Sequence, residues 1–490
     1  MYRVRRERKM AVKQLEQRPW AGAIARPGQE FALTPLEIVA GKLPTGLRGS
    51  LYRNGPSRLG RGGERVGHWF DGDGAILAVH FAAGTAQATY RYVQTAGYRQ
   101  EEKAGRYLFG NYGMTAPGAI WERWGKPFKN AANTSVLALP DRLLALWEAG
   151  LPHSLDLDTL ETHGLDDLGA LKSDPYSAHP KCDPDTGEIF NFGVGLGLNS
   201  TLHLYKSDAR GRVRQRASIA LEGIPLVHDF ALAGDYLVFC VPPVRINPLP
   251  VVLGLASYSA AMEWQPEKGT GLYIVDRRSL KLVSRSQLPP FFQWHFANGF
   301  VGKTGELVVD LCRYEDFRSN RFLQEFATGS THTASPAALW RLRLEVATGR
   351  LLESEVLVDR SCEFPTLDPT ATGRSARCLY LNLLRRESDI GSEHFRSIGR
   401  FDYATGQLTE ADLGEHRYPS EPIYAADAQQ PDQGWVLTVI YDAQADASEV
   451  WIFDAAALDA PPVCRLALPA VIPHGFHGTW RAGLSPVASR

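Results

Sequence analysis

No run of 18 or more apolar residues occurs in the chain, so none of its helices is expected to cross a bilayer. CxxC pairs are absent too. The six cysteines (Cys182, Cys240, Cys312, Cys362, Cys378 and Cys464) are widely spaced, and several sit in apolar, strand-like runs. That pattern favours free, buried thiols in a reducing compartment over disulfides. Nor is there an excess of one charge. Lys and Arg number 53 against 54 Asp and Glu, a formal net charge of −1, which argues against a general nucleic-acid field. The segment from Met1 to Arg18 is strongly basic but lacks an apolar core, so it is not read as a secretory signal. It reads either as an arm drawn to an anionic membrane or as a frayed or over-extended start upstream of Met10. Without secretion, the sequons at Asn133 and Asn199 carry little meaning.

Aromatics are plentiful, at 10% of residues, and 46 glycines and 31 prolines point to a β-rich chain with many turns. Length alone, 490 residues, suggests about three domains, yet barrels and propellers often exceed that prior as one unit. A short alternating strand followed by a turn rich in Asp, Gly, Ser or Thr recurs seven times. The copies begin at Leu77, Ser154, Leu202, Leu272, Leu339, Ile398 and Val450. Strand-turn-strand units at a steady phase are the signature of a β-propeller, in which each blade buries its face against its neighbours. The spacing exceeds ~40–50 residues per blade, so long loops are expected between blades, stacked on one face. More apolar strands, at Leu143–Trp147, Tyr236–Phe239, Leu307–Asp310, Leu379–Asn382 and Trp435–Val439, are candidates for inner and middle strands.

Four histidines stand in apolar, strand-like settings: Ala178-His179-Pro180, Val227-His228-Asp229, Trp294-His295-Phe296 and Phe476-His477-Gly478. An imidazole buried without a partner costs about 1–3 kcal/mol, so each ring needs a hydrogen bond or a metal. One such histidine is most simply a hydrogen-bonded core residue; four suggest one shared centre. His228 and His295 each lie 44 residues before the outer hairpin of their own unit, at Leu272 and Leu339, which implies equivalent places in two blades. Inner strands converge on the propeller axis, so these rings would meet there. Four neutral imidazoles suit Fe, Zn, Cu or Ni, and the donor chemistry does not choose among them. Glu148, Glu363 and Glu421 also sit in apolar settings and are candidates to accept the second ring N–H of a ligating histidine. The alternative for each is a surface or turn-capping glutamate.

These residues lie within longer motifs: Gly49-Ser50-Leu51-Tyr52-Arg53-Asn54-Gly55-Pro56, Phe70-Asp71-Gly72-Asp73-Gly74, Ala145-Leu146-Trp147-Glu148, Ser177-Ala178-His179-Pro180, Val227-His228-Asp229-Phe230, His295-Phe296-Ala297-Asn298, Cys362-Glu363-Phe364-Pro365, Glu421-Pro422 and Phe476-His477-Gly478-Thr479-Trp480. From about Leu47 to Trp480 the chain resembles the carotenoid cleavage oxygenases, in particular those of cyanobacteria acting on apocarotenoids. The resemblance implies an all-β, seven-bladed propeller with loops capping an axial Fe(II). His179, His228, His295 and His477 would be its ligands, with Glu148, Glu363 and Glu421 orienting His228, His295 and His477 in that order. His474 falls where the family has no ligand. The expected division is a basic arm over residues 1–30, poorly ordered, and one catalytic propeller over 31–490.

The implied reaction is cleavage of one C=C bond of a carotenoid or apocarotenoid by O2 into two carbonyls. Thr134 resembles the family residue whose methyl crowds an open iron position; an ordinary strand threonine is the equally weighted alternative. Trp147 and Trp294 are expected to line the polyene tunnel, a role compatible with core packing. Substrate this insoluble would come from a membrane. The apolar, proline-bracketed Leu249–Tyr258 and the tryptophan-bearing Trp121–Phe128 are read as a basic-rimmed patch dipping into one leaflet, the alternative being a buried lid. The chain is expected to be a cytoplasmic, peripherally membrane-bound monomer. Two rival readings stand beside this one. A stilbene-cleaving relative would carry a lysine where Trp147 stands, although Tyr112 could mimic its tyrosine. A propeller scaffold with a structural metal would need no buried glutamates beside its histidines.

Overall fold

A computed structural model describes residues 18–197, 200–430 and 432–483. Most of the basic N-terminal stretch, and Asn199 of the second sequon, lie outside the described residues. Within the arm assigned to 1–30 the chain is already packed from Pro19. Trp20 is fully buried and stacks on Phe326 with ring centroids 4.2 Å apart, and Ala21, Ala23 and Ile24 are buried around it.

The architecture is all-β and propeller-like. Among the described residues, five antiparallel sheets have four strands each, one has five and one has six, beside two two-stranded ribbons. The expected inner and middle strands prove to be second in their sheets, as with Leu143–Leu146 and Leu307–Tyr314. These strands are buried on both faces between neighbouring sheets, which is why they read as unbroken apolar runs. Outer strands such as Val213–Ala220 alternate, having one face against the protein and one in water.

The two largest sheets interlock the ends of the chain. Gly478–Ala482 pairs with Gly49–Arg58 in the first sheet, and Ile38–Gly41 pairs with Cys464–Ala467 in the last. All six cysteines are free and four are buried. Asn133, in the first sequon, is buried and spends its amide on Phe70 O and Gly72 O, at 2.8 and 2.7 Å, so it serves packing.

The long loops, expected between blades, lie mostly inside them. Those over 247–269, 315–336 and 384–396 each join the second strand of a sheet to its third, whereas 93–134 and 166–180 link two sheets. Strand direction explains this. The four histidines sit at or near the start of strands at one edge of their sheets, so a second-to-third connection returns to the same end as the histidines. Turns at the other end are tight, and five of them share one geometry. In these turns Asp276 Oδ1 accepts from Ser279 N at 2.7 Å, and Asp402 Oδ1 from Ala404 N at 2.9 Å. The residue four beyond the acid is left-handed: Gly187, Gly349 and Gly406 where glycine is supplied, but Leu160 and Leu280 (φ 56° each) elsewhere. The shared geometry is the repeat glimpsed in the sequence.

A buried ionic cluster pins the 93–134 segment to the first sheet. Lys129 Nζ lies 2.9 Å from both Asp73 Oδ1 and Glu101 Oε2, and Arg61 lies 2.9 Å from Asp73 Oδ2. Lys129→Met would leave two carboxylates buried with one counter-ion fewer. It should lower unfolding free energy by about 3–5 kcal/mol in denaturant titration.

Candidate metal centre

His179 lies two residues before the strand Lys181–Cys182, and His228 precedes Ala231–Ala233. His295 lies in Phe292–Val301, and His477 precedes Gly478–Ala482. Each of these four strands forms an edge of its own sheet. All four rings are buried, and one ligand atom from each lies within 4.8 Å of the others. His179 Nε2 is 3.0 Å from His228 Nε2, which is 3.4 Å from His295 Nε2. This is the grouping expected from the sequence. His474, by contrast, turns away, with Nε2 2.9 Å from Trp20 O.

Three of the rings meet a carboxylate through Nδ1. His228 contacts Glu148, His295 meets Glu363 Oε2 at 2.5 Å, and His477 meets Glu421 Oε1 at 2.9 Å. A carboxylate at Nδ1 fixes that nitrogen as the donor and turns the Nε2 lone pair inward. Burial, reinforced by the neighbouring rings, holds His179 and His477 well below the ordinary imidazole range and so keeps them neutral. His228 is buried as well, but the Glu148 carboxylate outweighs that and raises it. Burial pushes Glu421 up to about 7 against the opposing pull of Arg53. A buried set of four inward imidazole nitrogens, none of them anionic, fits a borderline divalent cation.

Two further groups, neither singled out from the sequence as a partner, hold the glutamates. Tyr314 donates to Glu363 Oε1 at 3.0 Å, and Gly478 N donates to Glu421 Oε2 at 2.8 Å. Arg53, fully within the protein, donates to Glu421 O and Phe476 O at 2.7 and 3.1 Å, tying the first sheet to the His477 segment.

A sequence model of the family described as retinal pigment epithelial membrane protein matches residues 24–482. The apocarotenoid-15,15'-oxygenase of Synechocystis sp. is 32% identical over 458 residues, 91% of this chain and 92% of that protein. This chain belongs to the carotenoid cleavage oxygenase family. The resveratrol cleavage oxygenase 1 of Aspergillus fumigatus is 28% identical over 490 residues, 95% of this chain and 96% of its own. The solved structure of the cobalt-substituted Synechocystis oxygenase superposes with a TM-score of 0.87 at 32% identity, covering 95% of this chain and 98% of that one.

In this member of the oxygenase family a cavity of about 480 Å3 adjoins the histidines. Thr134, Trp147 and Trp294 all line it, as do Glu148 and Glu363. Thr134 O accepts from His477 N at 3.3 Å, and its hydroxyl is turned to Asn133 Oδ1 at 3.2 Å. Trp294 stands edge-on to His228, ring centroids 4.9 Å apart, its indole held by Ser319 Oγ at 3.0 Å. Tyr112 also lines the cavity, with its hydroxyl donated to Asn320 Oδ1 at 2.8 Å.

The two segments singled out as surface anchors meet. Trp124 Nε1 donates to Leu253 O at 3.0 Å and Arg123 to Gly254 O at 2.9 Å. Neither is a buried lid: Trp121, Leu249 and Val252 are 71%, 64% and 73% exposed. Phe128 and Tyr258, at their ends, line the cavity, so the apolar patch adjoins its mouth.

Glu363→Gln and Glu421→Gln should each weaken metal retention by about 10–100-fold. Elemental analysis after dialysis against a graded chelator series would measure this. Retention equal to wild type in both would show that the carboxylates do not orient the rings.

Proposed function

We propose that the protein is a non-haem Fe(II) dioxygenase that cleaves one C=C bond of a carotenoid or apocarotenoid with O2 into two carbonyl products. The observation that carries this reading is the juxtaposition of four inward-facing imidazoles with a cavity walled mainly by aromatic and aliphatic side chains. Seven blades belong to this reading, with the five- and six-stranded sheets closing the ring around the five four-stranded ones. His179, His228, His295 and His477 would hold the iron, with Glu148, Glu363 and Glu421 fixing the last three. When bound, Fe2+ supplies the site for activating O2.

The chain's own residues then have three tasks. They bind an apolar rod, place one bond beside the histidines, and exclude water. Trp147, Trp294 and Phe70 supply broad ring faces for a conjugated chain. With the Thr134 hydroxyl engaged by Asn133, its methyl is the branch left to narrow the space near His477. No acid or base is required, and the three glutamates are already committed to imidazole N–H groups.

A polyene is favoured over a stilbene for two reasons. Trp147 stands where the stilbene-cleaving branch has a phenol-gripping lysine, and the Tyr112 hydroxyl is already spent on Asn320. Against a scaffold reading stands the cavity itself, which a structural metal would not need. One chain supplies all four histidines and the whole cavity, which supports a monomer. No helix among the described residues is long and apolar enough to cross a membrane. The exposed patch at the cavity mouth, with Arg123 and exposed Lys126 beside it, supports peripheral attachment to one leaflet of a membrane facing the cytoplasm.

Oxygen uptake with a panel of apocarotenals and one hydroxystilbene, followed by product mass, tests the chemistry. Paired carbonyl fragments from a polyene are expected. Zinc at one equivalent without oxygen consumption would support the scaffold instead, and stilbene cleavage alone the rival substrate. Trp121→Ser with Val252→Ser should reduce liposome co-sedimentation about tenfold or more, from the apolar area removed, while oxygen uptake with detergent-dispersed substrate stays near wild type.

A further inference from the structure

His179 differs from the other three histidines in having no carboxylate at its ring, among the described residues. Its placement must come through its backbone, and that backbone is strapped to the next sheet on both sides. His179 N donates to Ser177 Oγ at 3.2 Å, and the same hydroxyl reaches His228 O at 3.4 Å. Two residues beyond His179, Lys181 Nζ lies 2.8 Å from Asp229 Oδ1. Asp229 is the residue after His228 and is 1% exposed. Its other oxygen accepts from the backbone N–H of Phe296, the residue after His295, at 2.9 Å. A single carboxylate therefore bonds to groups one or two residues away from three ligands in three successive sheets.

We infer that Asp229, with Lys181 as its counter-ion, is a positioning residue that sets the spacing of His179, His228 and His295. It does through the main chain of His179 what a glutamate does at each of the other rings. The need for such a device is physical. Ligand distances tolerate deviations of about 0.2 Å, whereas sheets packed by apolar side chains settle their spacing by non-directional contact. A charge-assisted bond from a buried carboxylate is short and directional. Neither Asp229 nor Lys181 lines the cavity, so neither would touch substrate. His477 lies outside this clamp and depends on Arg53 and Glu421 instead. The inference rests on reading the four histidines as a metal site.

Cobalt(II) is the probe, because its visible bands report ligand arrangement without turnover. In cobalt-loaded full-length protein, Lys181→Met and Asp229→Asn should alter those bands and let a chelator strip the metal at least about tenfold faster than wild type. Lys181→Arg, which keeps the ion pair, should restore most of both. Arg341→Met is the control. It breaks a similarly buried pair away from the histidines, in which Arg341 bonds Asp310 at 2.8 and 2.9 Å, and should lower Tm yet leave bands and release rate unchanged. Should Asp229→Asn fail to fold, Lys181→Met, whose side chain is partly exposed, carries the test. A wild type that holds cobalt, with Lys181→Met indistinguishable from it or Arg341→Met just as leaky, overturns the inference alone. A wild type that retains no cobalt overturns the metal reading and the inference with it.

Discussion

Everything at the centre of this protein depends on keeping four imidazoles buried, close together and facing one another. Each condition opposes the others. Burial, reinforced by the neighbouring rings, keeps His179 and His477 neutral, but a neutral ring could still turn either nitrogen inward. Carboxylates settle that choice by demanding the Nδ1 proton. Glu363 and Glu421 are buried with their rings, and a buried carboxylate needs its own donors: Tyr314 for Glu363, and Gly478 N for Glu421. Hydrogen bonding thus spreads outward from the rings, and the burial of Arg53 and Tyr314 follows from where the histidines are.

The propeller suits this demand because its axial strands all begin at one end. A histidine near the start of such a strand stands at the same end as each second-to-third connection in its sheet. The opposite end can then close with tight Asx turns, and the chain places its long insertions where they wall the cavity. Tyr258, Ser319 and Phe395 all come from such insertions. The ligands are fixed by sheet register, and the wall by loops anchored separately, as the Lys129 cluster anchors the segment bearing Tyr112 and Phe128.

The histidines were legible because each sets a polar ring in an apolar stretch, and the glutamates for the same reason. Second strands were legible because burial on two faces removes alternation. What escaped notice has a common cause: it depends on partners distant in the chain. Ile38–Gly41 is a fully exposed four-residue strand with no local mark of its pairing to Cys464–Ala467. Trp20, inside a segment read as a loose arm, is buried because Phe326 offers a ring to stack on. The loops were expected between blades because spacing counts residues and not strand order. In the sequence Asp229 is one more residue of a histidine motif; only in the fold do its two oxygens reach two other sheets.

Relatives named for an apocarotenoid and for resveratrol match this chain at 32% and 28% identity over nearly its whole length. A shared scaffold at that distance means that substrate choice has to reside in the cavity wall. Here that wall offers little grip to a phenol. The Tyr112 hydroxyl is held by Asn320, which also bonds Ser259, so turning it toward a ligand would break a buried network. Trp147 contributes a ring face and no cation. A rigid conjugated hydrocarbon asks only for such faces and for a dry channel, and Glu363 and Glu421 beside the histidines are already hydrogen-bonded. Under the proposed function, discrimination would come from what the wall withholds: a hydroxylated ring would lose its water without finding a partner, at a cost of about 1–3 kcal/mol per unpaired group.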